Sequence, residues 1–146
     1  MEELELSQAL QAVQTRAPLV QCITNFVTVN DCANIILASG GSPTMAHDSR
    51  EVEEAVGGVS SLVLNLGAPD WGEAMVLAGR RAAALGIPVV LDPVAVGVTT
   101  LRRQLAERLL DEVRLTVIRG NASEIKALVR DRSGGSGVDV AAGDAV

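Results

Sequence analysis

Short apolar runs alternate with amphipathic segments along the chain. The apolar runs predict strands at residues 19–23, 42–46, 61–66, 88–92 and 115–118. The other segments predict helices at residues 2–15, 28–39, 48–56, 70–85, 100–111 and 121–129. Strands that are each followed by a helix are typical of a parallel sheet covered by helices. We therefore expect an α/β fold with helices on both faces of a mostly parallel sheet, whose apolar strands are buried on both sides.

Three predicted helices start with the pattern of a capping box, in which a polar side chain and a carboxylate three residues later cap each other's backbone. The pairs are Asp48 with Glu51, Asp70 with Glu73, and Asn121 with Glu124. At helix ends, Gly40 and Gly86 predict C-terminal caps. Residues 131–137 (DRSGGSG) predict a flexible loop, and the small residues 138–146 predict the beginning of a further helix.

Composition narrows the possible partners. Hydrophobic residues make up 48% of the chain but aromatic residues only 1%, so the core must be built from aliphatic side chains. The net charge of -6 disfavours nucleic acid or an anionic membrane as a partner. The acidic start and the lack of a long apolar run predict a cytoplasmic protein without a membrane span. Cys22 and Cys32 form no CxxC motif, and we expect reduced, buried thiols.

Candidate chemistry lies where the predicted strands end, because ligands of open parallel sheets bind beyond the carboxyl ends of the strands. A carboxylate and an arginine at one edge suit a metal-bound phosphate. A methionine and a glycine at the same edge suit a flat apolar ring. The residues that follow the predicted strands are Thr24, Asn25, Met45, Gly67, Asp92, Pro93, Arg119, Gly120 and Asn121.

The residues alone leave structural alternatives open. Asp92 before a proline is equally typical of a turn. Asn121 and Glu124 fit a helix cap, and Arg119 in an apolar strand end requires an anionic partner from the protein or from a ligand. The single histidine, His47, is expected in a solvated loop. Trp71 is interpreted as a packing residue in the first turn of a helix.

Two common nucleotide-binding signatures and one catalytic device are absent from the sequence. There is no GxxxxGK[ST] phosphate loop and no GxGxxG dinucleotide motif. The only lysine, Lys126, falls inside a predicted helix, which disfavours Schiff-base chemistry.

Five segments, in order, resemble the motifs of hydroxyethylthiazole kinases. They are VQCITNFVTVNDCAN at residues 20–34, GGSPTMA at 40–46, LNLG at 64–67, VLDPV at 90–94 and IRGNASE at 118–124. The resemblance implies a ribokinase-like fold. It also implies the phosphorylation of 5-(2-hydroxyethyl)-4-methylthiazole on its hydroxyethyl group in thiamine salvage, with ATP as co-substrate and Mg²⁺ as cofactor. A homotrimer with the thiazole alcohol bound at a subunit interface is the implied assembly.

The same resemblance assigns roles to eight residues. Met45 would contact the thiazole with Gly67 close by, and Asn25 and Val27 would come from the neighbouring subunit. The phosphate and metal residues would be Arg119 and Asn121 for ATP, and Asp92 and Glu124 for Mg²⁺.

The chain departs from the family pattern at its C-terminal end. Family members continue with a Gly-rich anion hole and the catalytic residue, which have no counterpart in residues 1–146. We therefore interpret the chain as the N-terminal part of a single ribokinase-like domain, truncated at the C-terminal end. No catalytic residue is identified, and we expect no kinase activity from this chain alone. The alternative is a non-catalytic remnant that binds thiazole or assembles through the trimer surface. Asn25 and the Pro-Thr-Met segment ending at Met45 disfavour a pyridoxal or hydroxymethylpyrimidine kinase.

Overall fold

The computed structural model describes residues 3–132, with side chains described for residues 5–129. Its elements follow the predicted order. They are α1 (Glu3–Arg16), β1 (Leu19–Ile23), α2 (Val29–Ala38), β2 (Ser42–Thr44), α3 (Val52–Val56), β3 (Ser61–Asn65), a 3-10 turn (Pro69–Trp71), α4 (Gly72–Leu85), β4 (Val89–Asp92), α5 (Thr100–Glu112), β5 (Val117–Ile118) and α6 (Ala122–Arg132).

The strands form one parallel sheet in the order β2-β1-β3-β4-β5, which confirms the predicted α/β class. All neighbouring pairs run parallel. The chain moves outward from β1 to β2 on one side, and then through β3, β4 and β5 on the other. This order opens a crevice between the carboxyl ends of β1 and β3, where sheets of this topology bind their ligands.

One face of the sheet carries the core. Leu62 and Leu64 of β3 lie beside Val89 and Leu91 of β4, and all four are fully buried. They pack in one cluster with residues of α3, α4 and α5. The buried side of helix α4 combines two larger side chains, Met75 and Val76, with small residues, which are Gly72, Ala74, Ala78, Gly79 and Ala82. This face therefore meets the expectation of an aliphatic core.

The opposite face is only partly covered in the described part of the chain, so the prediction of strands buried on both faces is wrong for β3, β4 and β5. Burial in β3 alternates, and Val63 and Val90 are half-buried. On the edge strand, Val117 keeps 49% of its surface exposed. Helix α2 belongs to this face, because right-handed crossovers place it opposite α3. Apolar sequence predicted the strands correctly but not how much of each would be covered.

Two of the three predicted capping boxes are wrong. Helix α3 begins at Val52, and the Asp48 side chain instead accepts a hydrogen bond from the Arg50 backbone N–H at 2.9 Å. Helix α4 follows directly from the 3-10 turn with Trp71 as its N-cap and no side-chain cap. The glycine predictions are confirmed, since Gly40 and Gly86 have φ of 91° and 71°, where a side chain would be strained.

The predicted loop at residues 131–137 begins too early, because α6 continues to Arg132. The rest of that loop, and the helix start predicted at residues 138–146, lie outside the described residues. Within residues 3–132, no helix is long and apolar enough to cross a membrane.

The cysteine prediction is confirmed for Cys22, which is free and buried, whereas Cys32 is free but only half-buried. Burial, reinforced by the nearby Cys32, raises the pKa of the Cys22 thiol to about 11. At pH 8 its thiolate fraction is then about 100-fold below that of a thiol at the ordinary value. In the Cys32→Ser variant, we expect a disulfide reagent to label Cys22 at least about 100-fold more slowly in the folded chain than in urea. Equal rates would place Cys22 outside the sheet.

Candidate active site

Asp92, the last residue of β4, stands at the centre of the carboxyl edge of the sheet. Its Oδ2 accepts hydrogen bonds from Asn65 Nδ2 at 3.0 Å and from Arg119 Nη1 at 3.1 Å. The strand register explains the first contact, because Asn65 lies directly opposite Asp92. The residues that follow β5 supply the second. One carboxylate is thus held between an amide on one side and a guanidinium on the other.

The electrostatic balance at Asp92 favours a bound cation. Burial raises the pKa of the Asp92 carboxyl above its ordinary value, and Glu124 raises it further, while Arg119 and the hydrogen bond from Asn65 oppose the rise. A carboxylate whose ionised form is disfavoured by burial gains strongly from a nearby positive charge. Glu124 lies on the same side of the site, since its Oε1 accepts from the Ala95 backbone N–H in the loop after β4 at 3.2 Å.

Asn121 and Glu124 form the predicted capping box at the start of α6. Asn121 Oδ1 accepts from the Glu124 backbone N–H, and Glu124 Oε2 accepts from the Asn121 backbone N–H, both at 2.9 Å. Each carboxylate oxygen has a second lone pair, so the cap does not exhaust Glu124 as an acceptor. The structural role of this pair and its predicted ligand-binding role are therefore compatible.

Glu124 also ties the loop after β4 to the start of α6. Its Oε1 accepts from the backbone N–H of Ala95 at 3.2 Å. Ala95 has φ of 55°, a left-handed conformation that costs energy for a residue other than glycine. A Cβ added at Gly120 would lie 3.1 Å from Glu124 Oε2 and 3.3 Å from Pro93. This close approach favours glycine at position 120 and leaves Glu124 beside the loop that follows Asp92.

The donor set of this edge suits Mg²⁺ held jointly with phosphate. Mg²⁺ prefers oxygen ligands and is usually bound through one or two carboxylates together with substrate phosphates and water. Asp92 and Glu124 supply two such carboxylates. Among residues 3–132, no group of three or more His, Cys, Asp or Glu is arranged to hold a metal ion by itself. The arrangement therefore matches a shared metal–phosphate site better than an all-protein cage.

Arg119 is not the buried cation that its apolar strand suggested. Its side chain is 77% exposed, while that of its partner Asp92 is 18% exposed. The neighbours Val117 and Ile118 are exposed as well, because β5 is the edge strand. An exposed guanidinium pairs with a protein carboxylate and still presents other N–H donors to an incoming phosphate.

A second group of side chains lies at the crevice between β1 and β3. The backbone N–H of Gly67 donates to Asn65 Oδ1 at 2.8 Å. Asn25 Oδ1 accepts from the Thr28 backbone N–H and from Thr28 Oγ1, both at 3.1 Å, which fixes the amide. A Cβ at Gly67 would lie 2.6 Å from Asn65 Oδ1 and 2.7 Å from Asn25 Nδ2. A side chain at position 67 would therefore have to displace one or both of these amides.

Met45 approaches the same edge beside an aromatic cluster. Its carbonyl oxygen lies 2.8 Å from His47 Nδ1. The His47 ring is 4.0 Å from the Trp71 ring, and Phe26 contacts Trp71 edge-on at 4.9 Å. The prediction of a solvated His47 is thus wrong, because the ring is half-buried against Trp71. Trp71 packs against the core as predicted, from the end of the 3-10 turn.

Asn25 lies at this site, whereas Val27 points into solvent. Asn25 contributes to the crevice of its own chain, as described above. Val27 has 89% of its surface exposed and faces away from the core. Its predicted action in a neighbouring subunit stays a prediction.

The sequence profile of the Hydroxyethylthiazole kinase family matches residues 10–146. The chain belongs to the hydroxyethylthiazole kinase family. It is 50% identical to a hydroxyethylthiazole kinase of Exiguobacterium sibiricum over 139 residues. These aligned residues are 94% of this chain and 54% of that protein. It is 51% identical to a hydroxyethylthiazole kinase of Alkaliphilus oremlandii over 137 residues, and these aligned residues are 92% of this chain and 51% of that protein.

A solved structure agrees with these relatives. The fold is similar to that of the hydroxyethylthiazole kinase protein from Pyrococcus horikoshii, with a TM-score of 0.83 and 42% sequence identity. The match covers 87% of this chain and 50% of that chain. The chain therefore spans about half the length of the hydroxyethylthiazole kinases it matches.

The prediction from sequence missed Asn65, which contacts both groups of side chains in the candidate site. The predicted strand extended to Leu66, so that Gly67 was taken as the first residue of the edge. The strand in fact ends at Asn65. A signal was present, since Asn65 is the one polar residue near the end of an otherwise apolar run. Alternation along the strand would have placed it on the side away from Leu64.

Proposed function

We propose that these residues form the magnesium-, phosphate- and thiazole-binding half of a kinase. The reaction is the transfer of a phosphoryl group from ATP to the hydroxyethyl group of 5-(2-hydroxyethyl)-4-methylthiazole. The observation that carries the proposal is the contact of Asp92 with both Arg119 and Asn65, beside Glu124 and next to the crevice at Gly67. Membership of the hydroxyethylthiazole kinase family supports the choice of substrates.

Phosphoryl transfer to an alcohol depends on in-line positioning and charge neutralisation more than on covalent help from the protein. In this proposal Asp92 and Glu124 hold Mg²⁺, which supplies positive charge to the phosphate oxygens. Arg119 binds the phosphates with its exposed N–H groups, and Asn121 supports it from the start of α6. The N-terminal end of a helix is also favourable for anionic groups. Activity of residues 1–146 by themselves stays a prediction.

The thiazole alcohol is proposed to bind at the crevice between β1 and β3. Met45 offers a polarisable thioether to the flat ring, and Gly67 leaves space for the ring beside the backbone. The hydrogen bond from His47 to the Met45 carbonyl holds the methionine backbone in place, and the His47 ring itself packs against Trp71. The hydroxyethyl group then points along the edge towards Asp92, because Asn65 links the two positions.

A homotrimer is the proposed assembly, with Val27 acting across the subunit interface, whereas Asn25 lines the crevice of its own chain beside Gly67. Large apolar side chains remain exposed on α2 and the loop before it, which are Phe26, Val27, Ile35 and Leu37. Exposed apolar patches of this kind mark protein interaction surfaces. Because the reaction consumes ATP and the chain is acidic, we place the protein in the cytoplasm, with no nucleic acid or membrane as partner.

Binding of the thiazole alcohol is the direct test of this function. Trp71 is the only tryptophan and lies in the aromatic cluster beside Met45, so its fluorescence reports on the crevice. We expect a saturable change in emission on titration with the thiazole alcohol, and none with an alcohol that lacks the ring. Titration with ATP should be saturable only when Mg²⁺ is present. A chain that binds neither ligand contradicts the proposal.

Met45→Ala should weaken thiazole binding about tenfold or more and leave the affinity for ATP nearly unchanged. The variant loses a sulfur–ring contact of about 0.3–1.5 kcal/mol, in addition to buried apolar area. The measurement is the same fluorescence titration with each ligand. Met75→Ala is the matched control, because Met75 is fully buried in the core and its loss should lower stability instead. An equal loss for both ligands in Met45→Ala would indicate unfolding and reject a specific role.

A further inference from the structure

The two polar atoms of the Asn65 side-chain amide form hydrogen bonds to the two groups of the candidate site. Its Nδ2 donates to Asp92 Oδ2 at 3.0 Å, and its Oδ1 accepts from the Gly67 backbone N–H at 2.8 Å. We propose that Asn65 is a positioning residue that couples the Mg²⁺–phosphate half of the site to the thiazole half. This inference rests on the proposed function, because it assumes a cation at Asp92 and the thiazole alcohol at Gly67.

Only an amide of this length satisfies both neighbours. The register of β3 with β4 places Asn65 directly opposite Asp92, so the donor must be short. The acceptor must reach forward two residues along its own chain to the Gly67 N–H. An aspartate could accept from Gly67 but would place a second carboxylate against Asp92, which is destabilising for like charges. An alanine would leave the Gly67 N–H and the Asp92 oxygen without this partner.

The contact is tight enough to transmit a change in either ligand. A Cβ at Gly67 would lie 2.6 Å from Asn65 Oδ1, so the amide is pressed against the backbone there. Asn25 Nδ2 closes the other side of Gly67 at 2.7 Å from that same position. When a cation binds Asp92 Oδ2, either the hydrogen bond that Asn65 donates to that oxygen weakens or the Asn65 amide rotates. Any rotation of the amide then changes its bond to Gly67.

Coupling of this kind is reciprocal for binding equilibria. If Mg²⁺ with ATP alters the position of Gly67, it changes the affinity for the thiazole alcohol by the same factor as the alcohol changes affinity for Mg²⁺–ATP. Coupling factors between two sites in proteins are commonly about 5 to 150. We expect the coupling in this chain to fall towards one when Asn65 is replaced.

The test uses the 146-residue chain labelled with ¹⁵N, with ATP present throughout to supply the phosphates and Mg²⁺ titrated as the probe. Two backbone N–H resonances report on the two halves. Val94 N–H donates to the Asp92 backbone oxygen at 2.9 Å and reports on the metal half. Gly67 N–H reports on the thiazole half. In the wild-type chain, we expect the Val94 and Gly67 resonances to shift with the same apparent affinity for Mg²⁺, because one binding event changes the surroundings of both N–H groups.

In Asn65→Ala, Mg²⁺ should still shift the Val94 resonance, whereas the shift at Gly67 should be lost. Hydrogen exchange of the Gly67 N–H should be about tenfold faster or more, since its acceptor is gone. Asn65→Ser, which keeps a small polar side chain, is the second variant if the alanine variant folds poorly. Asn34→Ala is the matched control, because Asn34 is exposed on α2 and its removal should change neither resonance.

The outcomes separate this inference from the proposed function. If Mg²⁺ shifts Val94 but not Gly67 in the wild-type chain, the metal site stands and the coupling through Asn65 is overturned. The same conclusion follows if the Gly67 shift survives in Asn65→Ala. If Mg²⁺ shifts neither resonance in the wild-type chain, the proposed metal site itself is contradicted, and the coupling is rejected with it.

Discussion

Asp92→Asn is expected to lower the rate of phosphoryl transfer about 100-fold or more while leaving thiazole affinity nearly unchanged. The substituted amide keeps the shape of the side chain but removes the negative charge that holds Mg²⁺. Loss of one charge-stabilising group in an active site typically costs about 10²–10³ in rate. The assay measures ADP formation dependent on the thiazole alcohol, in a chain extended to the length of its relatives with the C-terminal half of one of them.

The control for this variant is Asp70→Asn, an exposed carboxylate in the 3-10 turn whose loss should change neither rate nor affinity. A fall in turnover at constant affinity indicates an interaction made in the transition state, whereas a rise in the Michaelis constant indicates uniform binding. Full turnover of Asp92→Asn at ordinary Mg²⁺ concentrations would remove Asp92 from the metal site.

Asp92→Asn is expected to raise the free energy of unfolding even though it lowers the rate of phosphoryl transfer. Because burial raises the pKa of Asp92, the folded chain binds this proton more tightly than the unfolded chain does. The contribution of Asp92 to the free energy of unfolding is therefore full below the ordinary pKa of 3.8 and is lost as pH rises through the raised value. Asparagine has no such dependence. Urea unfolding should show Asp92→Asn gaining stability relative to the wild type between pH 4 and pH 7, and a relative loss would contradict the burial of this charge.

The sequence was sufficient to predict the elements but not their surroundings. The five apolar runs and the glycines at helix ends identify the strands and the ends of α2 and α4, because these depend on local chemistry. Whether a strand is covered on one face or on both depends on distant residues, so Val117 was expected to be buried and is exposed. The anionic partner expected for Arg119 is present and is Asp92. Of the three capping pairs, only Asn121 and Glu124 cap each other.

Part of the candidate site could likewise be predicted from local sequence, and part could not. Sequence position after a strand was enough to bring Asp92, Arg119 and Gly67 to one edge, since all carboxyl ends of a parallel sheet meet there. Asn65 was recognisable as a polar residue near the end of its strand, but its contact with Asp92 depends on the register of β3 with β4. The position of His47 depends on the packing of Trp71, which no local pattern records.

Gly67→Ala is expected to reduce thiazole affinity on the order of 100-fold, about 2.8 kcal/mol, because the added methyl group and the displaced amides would occupy the space proposed for the ring. The new Cβ would meet Asn65 Oδ1 at 2.6 Å and Asn25 Nδ2 at 2.7 Å, distances at which something must move. Both atoms are ends of short side chains, so the protein can accommodate the methyl group by displacing the two amides. The free energy of unfolding should therefore fall by less than about 1 kcal/mol. Fluorescence titration with the thiazole alcohol and urea unfolding measure the two quantities.

Gly58→Ala is the matched control, because a Cβ at Gly58 would meet no atom within 4 Å. It should change neither thiazole affinity nor stability appreciably. Comparison with Asn65→Ala adds a further constraint, since Gly67→Ala displaces Asn25 as well as Asn65 and should weaken the thiazole alcohol more. If Gly67→Ala instead unfolds the chain while Asn65→Ala and Gly58→Ala remain folded, the glycine serves the fold of the crevice and its assignment to the thiazole pocket is wrong. If affinity is unchanged in a folded Gly67→Ala chain, the thiazole alcohol does not bind between β1 and β3.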